Sequence, residues 1–170
     1  MTIKRLVTHP DAGLREGAVP VTPETLGLPA TQALIDDMVD TMRKQDGAGL
    51  AANQVGSRLA ICVIEGHSGP RLLATVLVNP QIIRSRGRYL LVESCLSVIC
   101  RPLRTPRHRS IWVRALNRYG RPQAWKGIGG RFAHVIQHEV DHLNGRLYID
   151  SGVRSEEQDS DKDKQQQSTD

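Results

Sequence analysis

Long apolar runs are missing from this 170-residue chain. None approaches the roughly 18 residues of a membrane-spanning helix, so no membrane partner is expected. The first residues, Met1 to Asp11, include Lys4 and Arg5 but no apolar stretch with a small-residue cleavage site, and no signal peptide is predicted. Cysteine is scarce. Cys62, Cys95 and Cys100 form no C-x-x-C pair and no even set. That argues against the disulfide framework of a small secreted domain and predicts a reducing, cytoplasmic location. Aromatic residues make up 4% of the chain, and neither interleaved aromatics nor a nucleic-acid motif accompanies its charge.

What is present is ordinary for a globular domain: 39% apolar and 24% charged residues, enough chain to bury a core. The net charge of +5 is unevenly spread. Arg84 to Arg131 holds twelve Arg or Lys against one acid, Glu93, whereas Glu156 to Asp170 holds six acids and two lysines. The basic block reads either as a solvated face or as an attraction to nucleic acid or another polyanion, including weak association with the ribosome. After Val153 no large apolar residue occurs. We expect one ordered domain over residues 1–153 and a polar, acidic, mobile tail over 154–170.

The periodicity predicts an α+β fold. Prolines and glycines make the first thirty residues loop-like. Leu34, Ile35, Met38, Val39 and Met42 recur at helical spacing, predicting a helix from about Pro29 to Gln45 with Asp36, Asp37 and Asp40 between the apolar positions. Leu59–Ile64, Ala74–Val78, Tyr89–Val92 and Ile111–Leu116 read as strands, with Leu147–Ile149 as a last short one. Phe132, Val135, Ile136, Val140 and Leu143 form the apolar stripe of a second helix, opened by Gly129-Gly130 and stopped at Gly145.

That second helix carries the chemistry. His138 and His142 are four residues apart, so both imidazoles project from one face and can reach one metal ion. Glu139 lies beside them. Such a device acidifies a water and polarises a carbonyl, and the carboxylate moves the proton. A catalytic metal usually keeps three protein ligands. Cys95, in Glu93-Ser94-Cys95-Leu96-Ser97, is the candidate for the third, although a lone cysteine also serves as a small buried residue. The segment Gly47 to Gly56 is dense in glycine and alanine, suited to close approach of backbone to a ligand, with Ala48 and Gly49 near its start as candidate substrate contacts. Gln54 offers an amide N–H for an oxyanion.

In this order, Gly47–Gln54, Glu93–Ser97 and Gln137–His142 resemble the three motifs of the peptide deformylase family, and the likeness spans roughly Ile3 to Asp150. The resemblance implies antiparallel or mixed sheets around a central helix that carries H-E-x-x-H, plus an N-terminal helix. It implies a hydrolase that removes the N-formyl group from the initiator methionine of nascent polypeptides and releases formate. By matching position, Cys95, His138 and His142 would hold one divalent ion, Fe²⁺ by family precedent with Zn²⁺ or Ni²⁺ also accommodated. Glu139 would be the general base and then acid, and Gln54 with the backbone N–H of Leu96 would face the oxyanion. Arg107 would lie near the substrate, and Ala48, Leu91, His134 and Val135 would line a nonpolar pocket for methionine.

The motifs depart from the family at one site. Ser94 stands where the family has glycine. It would strain the backbone if φ there is positive, and otherwise it would add a hydroxyl at the channel mouth, as in an inhibitor-tolerant copy of the enzyme. The alternative from another class is a catalytically weak, deformylase-like protein that binds peptide, ribosome or RNA. A general metallopeptidase fits less well, because Cys95 stands where such an enzyme would use His or Glu. Oligomeric state is not legible.

Overall fold

The apolar pattern at residues 34–42 folds into a helix, as expected. In a computed structural model, which describes residues 2–66 and 74–154, this helix is the second of three. Helix α1 is Pro23–Gly27 and α2 is Pro29–Lys44. Each starts with proline, whose missing N–H has no partner to lose in a first turn. Helix α1 and a 3-10 turn at Ala12–Arg15 interrupt the loop expected over the first thirty residues. Ile35, Met38 and Met42 of α2 are wholly buried. Asp37 is buried too: it accepts the Thr2 N–H at 2.6 Å and pairs with Lys4 at 3.3 Å. The Lys4 N–H donates to Thr41 Oγ1 at 2.8 Å, so the N-terminal segment is laced along α2.

Five strands form one antiparallel sheet in chain order: β1 Gly49–Ala51, β2 Ile61–Ile64, β3 Thr75–Cys95, β4 Val98–Leu116 and β5 Pro122–Gly129. Strand β2, Ile-Cys-Val-Ile, is apolar at every position because both of its faces are covered. Ile61 and Val63 pack with the α2 residues Ile35, Met38 and Met42. Cys62 and Ile64 pack with Ile136 and Val140 of α3, which is Gly130–Leu143. The class is α+β, as predicted, with the H-E-x-x-H helix against one face of the sheet. Gly145 ends α3 with φ 70°, and a Cβ there would collide with the Arg15 carbonyl oxygen.

Three expectations are corrected. Tyr89–Val92 and Ile111–Leu116 are not separate short strands; they are parts of a 21-residue and a 19-residue strand joined by the two-residue turn Leu96-Ser97. The exposed, arginine-rich middle of this hairpin carries no hydrophobic alternation to reveal it. Strand β5 had no signal strong enough to be read. Leu147–Ile149 is not a strand: a 3-10 turn at Tyr148–Asp150 buries Leu147 and Tyr148 instead, because three apolar residues are too few to define a period. The acidic tail lies outside the described residues from position 155 onward.

Candidate active site

The end of β3, one face of α3 and the turn after β1 converge. Cys95 is the last residue of β3, held at a tight hairpin turn, and His138 and His142 face it from α3. Their ligand atoms all lie within 4.8 Å of one another, close to the reach of one ion with bonds of about 2.0–2.3 Å. Cys95 Sγ is 3.1 Å from His142 Nε2. The surroundings push the two histidines apart. Burial opposes protonation of His138, but hydrogen bonds to Cys95 and Glu93 and the nearby Glu139 hold its pKa up at about 10. Burial, followed by the charges of His138 and Arg107, pushes His142 down to about 3. A thiolate and two imidazoles in this arrangement fit a divalent cation of the Fe²⁺, Ni²⁺ or Zn²⁺ type.

Behind the donors sits Glu93, 2% exposed. Its carboxylate accepts from Arg107 Nε at 2.5 Å and from another Arg107 guanidinium nitrogen at 2.9 Å. It also meets His134 Nε2 at 2.6 Å and His138 Nδ1 at 3.2 Å. The last contact fixes the ring of His138 and leaves its other nitrogen free to turn toward Cys95. Burial raises the Glu93 pKa, but the Arg107, His134 and His138 hydrogen bonds outweigh it and hold the carboxyl well below the usual range. Arg107 is equally committed, its remaining arm pairing with Asp141 at 2.5 Å. Removing one partner from a buried pair of this kind costs about 3–5 kcal/mol.

Glu139 faces the same space from α3. Burial pushes its carboxyl up to about 7, and Oε2 has no hydrogen-bond partner among the described residues. Gly49 makes room for it: a Cβ there would lie 2.5 Å from Glu139 Oε1 and 2.6 Å from Val135 Cγ1. The Gln54 amide is oriented at its other end, where Oε1 accepts the Ala51 N–H at 2.8 Å. Its Nε2 then points to Ser97 Oγ at 3.1 Å and to Cys95 Sγ at 3.6 Å. The N-terminal segment holds both loops, Val7 N–H donating to the Gln54 carbonyl at 2.8 Å and His9 N–H to that of Ser97 at 2.7 Å.

A cavity of about 370 Å³ opens over these groups. Of the residues expected there, Ala48, Gly49, Gln54, Ser94, Cys95, Leu96, His134, Val135, His138 and Glu139 line it. Leu91, Arg107 and His142 do not; His142 is buried beneath the cavity floor beside Cys95. Val92 takes the wall instead of Leu91, and Arg107 stands behind Glu93, outside the cavity lining. Ser94 does not have positive φ, so it introduces no backbone strain; its side chain lies at the cavity rim. His134 is tied to Glu93 by its ring nitrogen, and the exposed Arg131 adds a cation to a pocket expected to be nonpolar.

Glu93, Ser97, Asp141 and Arg131 were not singled out from sequence. For Glu93 a signal existed: it is the one acid among twelve basic residues, and a lone carboxylate in such a block is well placed to be buried with a partner. Ser97 and Asp141 act through spatial neighbours 43 and 34 positions away, beyond any local pattern.

Comparison with known proteins agrees with this geometry. A sequence model of the family described as polypeptide deformylase matches residues 3–158. A peptide deformylase from Dehalococcoides mccartyi is 40% identical over 158 residues, covering 93% of this chain and 90% of that protein. The crystal structure of a peptide deformylase from Legionella pneumophila superposes with a TM-score of 0.82 at 36% identity, covering 99% of both chains. A class I type b peptide deformylase from Acinetobacter baumannii, crystallised with Met-Ala-Ser bound, gives 0.81 at 29% identity, covering 88% of this chain and 98% of that one. The chain thus belongs to the polypeptide deformylase family, hydrolases that remove the formyl group from nascent polypeptides.

Proposed function

We propose that Cys95, His138 and His142 hold one divalent cation, Fe²⁺ by preference, and that Glu139, Gln54 and Leu96 act on the formyl amide beside it. One juxtaposition carries this reading: the buried Glu139, whose Oε2 has no partner among the described residues, and Gln54 share a cavity with Cys95 and His138, and the third donor, His142 Nε2, lies 3.1 Å from Cys95 Sγ. When bound, the cation supplies Lewis acidity, lowering the pKa of a water and polarising the formyl oxygen. Glu139 takes the proton of the attacking water and returns it to the departing amine, and a pKa near 7 suits both transfers. Gln54 Nε2 and the Leu96 backbone N–H donate to the oxygen that becomes negative, each worth about 3 kcal/mol. Glu93 keeps His138 in register, and Ala48 and Val135 offer the methionine side chain its apolar contacts.

The binding of Met-Ala-Ser by the Acinetobacter baumannii relative supports formyl-Met-Ala-Ser as a substrate. Anaerobically purified, Fe²⁺-loaded protein is expected to release formate from it, and chelation is expected to abolish the release until metal is restored. Absence of formate from metal-replete protein would sink the reading. Cytoplasmic location and association with the ribosome through the basic block belong to the same reading.

Ser94 supports a narrower one, that this is an inhibitor-tolerant copy, because this exposed residue is part of the cavity lining. Ser94→Gly is expected to tighten hydroxamate inhibition by about 3- to 10-fold, the effect of roughly 1 kcal/mol. Superimposable inhibition curves would remove that idea.

A further inference from the structure

The basic block is scattered in sequence but gathered in space. From Arg84 to Glu93, β3 pairs with β4 in unbroken register: Arg84 opposite Trp112, Arg86 opposite Ser110, Arg88 opposite His108, Leu90 opposite Pro106 and Val92 opposite Arg104. Directly opposed residues share a face, and alternate residues repeat it. Arg84, Arg86, Arg88, Leu90 and Val92 therefore stand in one row, and all five are exposed. Arg104 stands across from that row, and the exposed Arg114 lies farther along β4. The opposite face turns inward with Glu93, Thr105 and Arg107, all buried.

Among the described residues, no carboxylate on the outer face offsets this charge. None of Arg84, Arg86, Arg88, Arg104 and Arg114 makes an ion pair among the described residues. The single carboxylate of the segment, Glu93, points the other way and is used by Arg107 and two histidines. Cations spaced about 6.6 Å apart along a strand repel one another and sustain a positive potential. The aromatics that seemed isolated in the sequence also find a place: Arg84 lies 4.8 Å over the Trp112 ring and Arg109 lies 5.3 Å over Tyr89. The first stack lies on the face of the arginine row and holds the Arg84 guanidinium in a fixed plane, as phosphate contacts require; the second lies on the opposite face, with Arg107.

The row leads to the active site. Val92 lines the catalytic cavity, and Arg88 is four residues back on the same face, about 13 Å away. We propose that the outer face of the β3–β4 hairpin is an RNA-docking surface, which holds the cavity mouth against the RNA-rich surroundings of an emerging nascent chain. The proposal rests on the deformylase reading for its purpose and on the arginine row for its chemistry. Phosphate contacts of this kind position a protein without reading sequence.

The test uses the full chain, a fluorescein-labelled RNA hairpin and phosphatidylglycerol vesicles. Fluorescence anisotropy between 50 and 200 mM salt is expected to show RNA binding that weakens steeply with salt. Arg84→Ala/Arg86→Ala/Arg88→Ala should weaken it about tenfold or more at the lower salt. The log–log salt slope should fall by about 2.7, because three phosphates would no longer be neutralised. Formate release from formyl-Met-Ala-Ser should be unchanged, which also shows that the variant is folded. Arg86→Glu/Arg88→Glu, which keeps the Arg84–Trp112 stack, should abolish RNA binding. Equal RNA affinity in wild type and triple variant would overturn the proposal, as would capture by vesicles without RNA binding. So would failure of the full chain to bind RNA, the result if the acids of residues 156–170 covered the face. Arginine-dependent RNA binding by a chain that releases no formate would leave the surface standing and refute the catalytic reading.

Discussion

Glu139→Gln is expected to lower kcat by about 10²- to 10⁴-fold while metal content stays the same, because the substitution removes a proton carrier and leaves all three ligands in place. The same substitution should make the metal-free chain more stable at pH 8. Burial raises the Glu139 carboxyl from 4.5 to about 7 in the folded chain. Between those values the folded state keeps a proton that the unfolded state has released, so stability falls as pH rises through this window. A shift of that size corresponds to about 3 kcal/mol above pH 7, an order-of-magnitude figure. Glutamine has no such proton. Thermal unfolding of the chelated proteins at pH 5 and pH 8 checks this: the advantage of the variant should appear at pH 8 and be smaller at pH 5. Activity within tenfold of wild type, or a stability difference independent of pH, would count against Glu139 as the buried proton carrier.

Gly49→Ala is expected to reduce kcat about a hundredfold without touching a ligand or the carboxylate itself. Its methyl group would lie 2.5 Å from Glu139 Oε1 and 2.6 Å from Val135 Cγ1, so the carboxylate must move by about 1 Å. Displacements of that order in a catalytic group cost roughly 10²-fold. Metal binding should survive, because the atoms nearest the new methyl group belong to Glu139 and Val135 and not to Cys95, His138 or His142. Elemental analysis alongside single-turnover formate release separates the two effects. Loss of metal together with activity would mean that the turn after β1 supports the ligand set, contrary to this account.

Both expected results depend on a layered arrangement. The Arg107–Glu93 pair, linked to His134, His138 and Asp141, ties β3, β4 and α3 together beneath the ligands. Gln137 adds a second tie from α3 to β4, accepting the His108 N–H at 2.8 Å and donating to its carbonyl at 3.1 Å. Catalytic side chains held by such partners keep their geometry without substrate, the condition for preorganised charge stabilisation.

The sequence determined the parts of this protein whose physics is local. Helix α2, helix α3 and the adjacency of His138, Glu139 and His142 follow from spacing alone, because a 3.6-residue period places i and i+4 on one face wherever the helix lies. The residue types of Cys95 and Gln54, with the ordered motifs around them, pointed to a deformylase centre. The tertiary structure decided what depends on pairing between distant segments. It joined β3 and β4 into one long hairpin, moved Arg107 from the substrate to the back of Glu93, replaced Leu91 by Val92 at the cavity wall and released Ser94 from strain. It also turned a scattered basic block into an arginine row on one face. In a strand, a shift of register by one residue exchanges the two faces, so which side chain meets the cavity and which meets solvent is settled by the partner strand.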